Sequence, residues 1–140
     1  MGRVVVDASV AAKWYFPEVH ADAARTLLAS DAELHAPDFL FIEIANILWK
    51  RVRRAEIEAD EAEHVLHHLH AVPFYLHTAS DRTARAFRLA LECGRTAYDC
   101  LYLALAEELG CPLVTADRKF LDAIVVGPHK NAVRWVEDLA

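Results

Sequence analysis

The sequence predicts an α/β fold, a mainly parallel central sheet of four to five strands flanked by helices. Short β-branched runs alternate along the chain with longer stretches of helical apolar spacing, the pattern of strand–helix–strand units. Two of those runs, VVVD at 4–7 and LVTAD at 113–117, close on an aspartate. In parallel sheets the functional crevice lies beyond the carboxyl ends of the strands, so both acids are placed at that edge.

Each element has its own local signal. Arg3–Asp7 (RVVVD) reads as a buried strand, and Ala8–Tyr15 as a helix stopped by Pro17. Asp22–Ala29 forms a second helix and Glu33–Ala36 a brief strand before Pro37. FLFIEIANILWKRVRR, from Phe39 to Arg54, repeats apolar residues at helical spacing. A helix from about Asp60 to His70 precedes a strand at Phe74–His77, and Ser80–Glu92 is helical up to Gly94. The stretch RTAYDCLYLALAEELG, 95–110, is a helix apolar on most sides that ends at Gly110, a residue favoured just past a helix C-terminus. Pro112–Thr115 and Val133–Val136 complete the strands, while TADRKF reads as a turn.

Composition narrows the function. A chain of 140 residues, 55% hydrophobic and 26% charged, suits one folded domain, expected to span 1–140. A net charge of −6 is the wrong sign for holding nucleic acid by bulk electrostatics, so such a role needs a local basic patch or a bound cation. Cys93, Cys100 and Cys111 are odd in number and lack C-x-x-C spacing, which points to reduced, packed thiols and a cytoplasmic location. No apolar run approaches membrane-span length, and no signal-peptide segment opens the chain, so no membrane association is expected.

Four acids carry the chemistry. Asp99 stands three residues after Thr96, as in a capping box, and a carboxylate there also suits the positive end of the helix dipole. Asp7 and Asp117 each have an ordinary reading as turn or cap residues. Glu43 is harder to place, because FLFI and IANIL make its surroundings apolar. A buried carboxylate needs a partner, here a basic side chain or a metal. If Asp7, Glu43, Asp99 and Asp117 converge, like charges ~4 Å apart cost about 4 kcal/mol at an effective dielectric near 20. A hard divalent cation turns that repulsion into binding, and oxygen-only ligands select Mg²⁺ or Mn²⁺.

With these residues in hand, the chain resembles the PIN-domain family, and in particular the VapC-type ribonuclease toxins of toxin–antitoxin pairs. The likeness rests on VVVDASV, APDFLFIEIANILWK and GRTAYDCLYLALAEELGCPLVTADRKF, in that order, and covers nearly the whole chain. It implies a three-layer PIN-like fold and a Mg²⁺- or Mn²⁺-dependent endoribonuclease. The family's acidic constellation falls on Asp7, Glu43, Asp99 and Asp117, with Asp117 binding directly or through water. Ser9 and Thr115 match polar positions that support those acids, whereas Asp122 lies beyond the usual position. The resemblance also implies a homodimer and a cognate antitoxin whose tail covers the site and places a basic side chain among the acids.

The chemistry such a site supports is activation of water and polarisation of a phosphoryl oxygen, with one cation or two. For RNA, Lys50 and Arg54 fall within about 20° of Glu43 around their helix, giving a basic track that leads to the acids. The same residues also suit a solvated helix C-terminus. Lys13, Arg95, Arg118 and Lys119 are further candidates near the motifs, and Trp14, Tyr15 and Phe16 are placed to pack or to stack on bases. His64 and His68 are one turn apart and form either a metal pair or part of a helix face. Three other readings compete. A haloacid-dehalogenase-like phosphatase needs a second Asp two residues after the first, where this chain has Ser9. A phosphoacceptor receiver domain needs an acidic pair that is missing here. A non-catalytic PIN-like module would bind RNA or protein without cutting.

Overall fold

A computed structural model describes residues 2–139. Five parallel strands form one sheet in the order β3-β2-β1-β4-β5, flanked by seven α-helices among the described residues. The strands are β1 (Arg3–Val6), β2 (Glu33–Pro37), β3 (Tyr75–His77), β4 (Leu113–Thr115) and β5 (Val133–Trp135). The helices are α1 (Ala8–Lys13), α2 (Ala21–Ala29), α3 (Leu40–Arg53), α4 (Ala59–Ala71), α5 (Thr83–Cys93), α6 (Ala97–Leu109) and α7 (Arg118–Val125). The expected α/β architecture is therefore observed, with every predicted strand present.

Three differences from the sequence reading have local causes. Residues 118–125, expected to begin in a turn, form α7. Asp117 caps that helix by accepting a hydrogen bond from Phe120 N at 3.1 Å. Phe120, Leu121 and Ile124 are its buried face, docked on β4 and β5. Eight residues are too few for a helix to be stable by propensity, so tertiary docking makes this one. The predicted helix at 80–92 opens instead as a 3₁₀ turn, Ala79–Arg82, before α5 begins at Thr83. Helix α1 ends at Lys13, and the aromatic residues behind it turn inward: Trp14 and Phe16 are buried, and Trp14 Nε1 donates to the Ala24 carbonyl.

The apolar character of α6 has a direct explanation. Cys100 to Ala106 are all buried, and the helix packs against α5 and against β1, β2 and β4. A helix buried on nearly all sides has no need of a polar face. Its first turn emerges at the carboxyl end of the sheet, where Thr96 caps it by accepting from Asp99 N at 3.1 Å.

The chain runs from β1 outward to β2 and β3 on one side, and from β4 to β5 on the other. The order reverses between β1 and β4, which pair with Val5 opposite Leu113 and Val6 opposite Val114. Crevices in open parallel sheets form at such reversals, beyond the strands' carboxyl ends. Asp7 and Asp117 come just after these two strands.

Candidate active site

Asp7 is the deepest acid of the crevice, 9% exposed. Its Oδ2 accepts from Ser9 Oγ at 2.7 Å and from Thr115 Oγ1 at 2.8 Å, and its backbone N–H donates to the Val114 carbonyl. The pairing of β1 with β4 sets the Thr115 and Val114 contacts, and the first turn of α1 supplies Ser9. Burial pushes its pKa from 3.8 up to about 6, against the lowering effect of the two hydroxyl donors and with added repulsion from Asp99 and Asp117. Ser9 also accepts from Ala116 N, and Thr115 Oγ1 from Asp117 N, so the two hydroxyls tie the β1 and β4 termini together. Ser9 thus supports Asp7, in the place where a phosphatase of the rival class would carry its second acid.

Glu43, in the first turn of α3, faces the same region. Its Oε1 accepts from the buried phenol of Tyr102 at 2.6 Å. The sequence called for a basic side chain or a metal beside this acid; the partner observed is a neutral hydroxyl. Burial raises the Glu43 pKa to about 7, with Tyr102 lowering it and Asp7 and Asp99 adding repulsion. Tyr102 stands well above its ordinary value, chiefly through burial, and so remains a donor. It lies three residues after Asp99, a spacing that places two helical side chains on neighbouring faces. That spacing is the only hint of it in the sequence.

Asp99 is also raised, mainly by burial; Arg95 opposes the shift and Asp117 reinforces it. Asp7 and Asp99 each repel the other three acids, and Glu43 and Asp117 are joined to the cluster through those two. The donor set is oxygen throughout, partly desolvated and short of positive charge, which fits a hard divalent cation. Among the described residues, however, no group of three or more His, Cys, Asp or Glu side chains is arranged to hold a metal ion. Arg95 stands among these acids. Its Nη2 donates to Asp99 Oδ2 at 3.2 Å and to Asp117 Oδ2 at 3.5 Å, so a guanidinium sits against two of the carboxylates.

The basic candidates divide. Lys50 lines a groove with Glu43, Phe39 and Tyr98, and Lys50 and Arg54 line the adjoining cleft with Trp49 and Arg53. Arg53, which helical spacing does not align with Glu43, lies over the Trp49 ring at 4.8 Å. Lys13 is instead paired with Glu18 at 3.2 Å, and Arg118 lies over the Trp135 ring at 4.0 Å. Asp122 is exposed on α7. Of the α4 histidines, His68 shares a 2.7 Å hydrogen bond with Tyr15, and His70 stacks on Phe41.

Comparison with known proteins identifies the family. The PIN-domain family model matches residues 4–124. Ribonuclease VapC3 of Pyrobaculum aerophilum is 38% identical over 122 residues, covering 86% of this chain and 93% of that protein. Ribonuclease VapC9 of Mycobacterium tuberculosis is 31% identical over 119 residues, covering 85% and 89%. Among solved structures, PAE2754 from Pyrobaculum aerophilum superposes with a TM-score of 0.72 at 28% identity, over 98% of this chain and 85% of that one. The chain belongs to the PIN-domain family, alongside its VapC members.

Proposed function

We propose that this protein is a Mg²⁺- or Mn²⁺-dependent endoribonuclease, the toxin of a toxin–antitoxin pair, formed by a single nuclease domain over 1–140. The observation that carries the reading is the meeting of Asp7, Glu43, Asp99 and Asp117 at the β1/β4 reversal, each repelling at least two of the others. The relatives named as ribonucleases support the reaction class.

In this reading Asp7, Glu43 and Asp99 hold the cation, and Asp117 holds it directly or through water. A bound divalent ion would supply charge neutralisation and Lewis-acid polarisation of the scissile phosphoryl group. Ser9 and Thr115 keep Asp7 in place, and Tyr102 orients Glu43. Lys50 and Arg54 guide the phosphate backbone along α3 towards the acids. Lys13 and Arg118 remain candidates for RNA contact once their present pairings are exchanged for phosphate. The partners are RNA, a second copy of the chain and a cognate antitoxin. The site of action in this reading is the cytoplasm; no helix among the described residues is long and apolar enough to cross a membrane.

The test is cleavage of structured RNA by protein purified free of antitoxin. Cutting with Mg²⁺ or Mn²⁺, its arrest by EDTA and its loss in Asp7→Asn are the expected results. An Asp7→Asn variant that cuts as well as the parent would overturn the assignment.

A further inference from the structure

Arg95 is in an unusual position for a residue that reaches the acids. It lies in the turn between Gly94, which ends α5 in the left-handed region at φ 69°, and Thr96, the N-cap of α6. It is therefore outside the helix that carries Asp99, and no regular element fixes its direction. Its guanidinium nevertheless enters the pocket and shares one nitrogen, Nη2, between Asp99 and Asp117.

That geometry is a poor use of an arginine. Charge-assisted N–H···O contacts run at about 2.7–2.9 Å, and a guanidinium offers two parallel donors to one carboxylate. Here the contacts are 3.2 and 3.5 Å, and each carboxylate uses a single oxygen. The Arg95 Nε is buried and has no hydrogen-bond partner among the described residues. A buried donor left without an acceptor is costly, and its presence marks a position held for another reason. That reason is charge, because Arg95 is the cation that Asp99 and Asp117 share.

We propose that Arg95 is the pocket's own counter-cation, which holds Asp99 and Asp117 while no divalent ion is bound and releases them when one binds. The proposal rests on the reading of the acids as a divalent-cation site. Once released, the side chain remains on the exposed turn at the mouth of the crevice. There its fork, including the unpaired Nε, matches a phosphodiester oxygen pair of the incoming RNA. The competing explanation is a plain structural tie between the α5–α6 turn and the start of α7, which Asp117 caps.

Metal-stripped parent and Arg95→Gln proteins, titrated with Mn²⁺ in a calorimeter, separate these possibilities. Arg95→Gln is expected to bind Mn²⁺ at least about tenfold tighter, since no charge-assisted contact has to be surrendered. Arg95→Lys keeps the charge and should stay close to the parent. The melting temperature of Arg95→Gln should fall below the parent's in EDTA and match it at saturating Mn²⁺. Titrating the parent with Mg²⁺ should move the Arg95 Nε resonance in nitrogen-detected NMR. The proposal is overturned by an Arg95→Gln affinity no tighter than the parent's, by Arg95→Lys binding as tightly as Arg95→Gln, by an equal melting loss with and without the ion, or by an unmoved Nε resonance. If neither parent nor Arg95→Gln binds Mn²⁺, the metal-site reading falls too; if both bind equally, only the role of Arg95 does.

Discussion

Tyr102 donates its phenolic hydrogen to Glu43 Oε1 across 2.6 Å, so the helix that carries Asp99 also holds the acid on α3. Two carboxylates remote in sequence are thereby positioned by one buried helix, and the hydrogen bond favours the ionised glutamate that a cation would need.

Tyr102→Phe keeps the ring and removes only that donor. The Glu43 pKa, already at about 7, should climb further, so a larger share of the protein carries a protonated Glu43 at neutral pH. Cleavage is expected to weaken at pH 7 and to recover as the pH is raised, displacing the whole pH–rate profile upward. A uniform loss at every pH would assign Tyr102 to packing alone.

Replacing Asp99 with Asn should reduce RNA cleavage by more than about a hundredfold, beyond the roughly 10–100-fold that loss of an outer partner of a metal ligand costs. The fold should survive, because the cap of α6 is made by the Thr96 hydroxyl and the backbone of residue 99. Thr96→Ala is the reciprocal case: it should cost about 1 kcal/mol of stability. Its cleavage rate per folded molecule should change far less. Circular dichroism melts run beside a cleavage assay read both.

Stability of the metal-free protein should decline with rising pH. A carboxyl whose folded pKa stands above its unfolded value binds its proton more tightly in the folded state. Stability is then lost as pH climbs through the interval between the two values, which for Asp7 is 3.8 to about 6 and for Glu43 is 4.5 to about 7. Asp7→Asn removes one of these burdens. It should be the more stable protein at pH 8, by up to about 2 kcal/mol, and should converge on the parent near pH 4. Thermal melts in EDTA across that range decide it.

Divalent ions should reverse the trend. Mn²⁺ binds deprotonated acids, so the rise in melting temperature it causes should be larger at pH 7.5 than at pH 5. A rise independent of pH would show that the ion binds elsewhere.

Gly94 supplies a backbone test. Its φ of 69° is one that a side chain disfavours, although an added Cβ would meet nothing within 4 Å. Gly94→Ala should therefore cost about 1 kcal/mol through conformation alone. Denaturant titration of the two proteins measures it.

Much of this molecule is legible in its sequence because the signals are local. The β-branched runs around Val5 and Val114, the apolar spacing of α3, and Gly110 closing α6 all report structure through neighbouring residues. Asp7 and Asp117 can be placed at the sheet edge because a parallel strand that ends in an acid delivers it there. Helix α7 escapes such a reading for the opposite reason, since its stability comes from docking Phe120, Leu121 and Ile124 rather than from its own sequence.

By itself, then, the sequence determined the alternation of strands and helices, the family motifs, and which acids end the two central strands. Tertiary structure alone decided whom each charged or polar group meets: Tyr102 with Glu43, Arg95 with Asp99 and Asp117, Lys13 with Glu18, Arg118 over Trp135. Hydrophobic periodicity encodes the face an element buries, whereas a contact between side chains depends on distances of a few ångströms set by how separate elements dock.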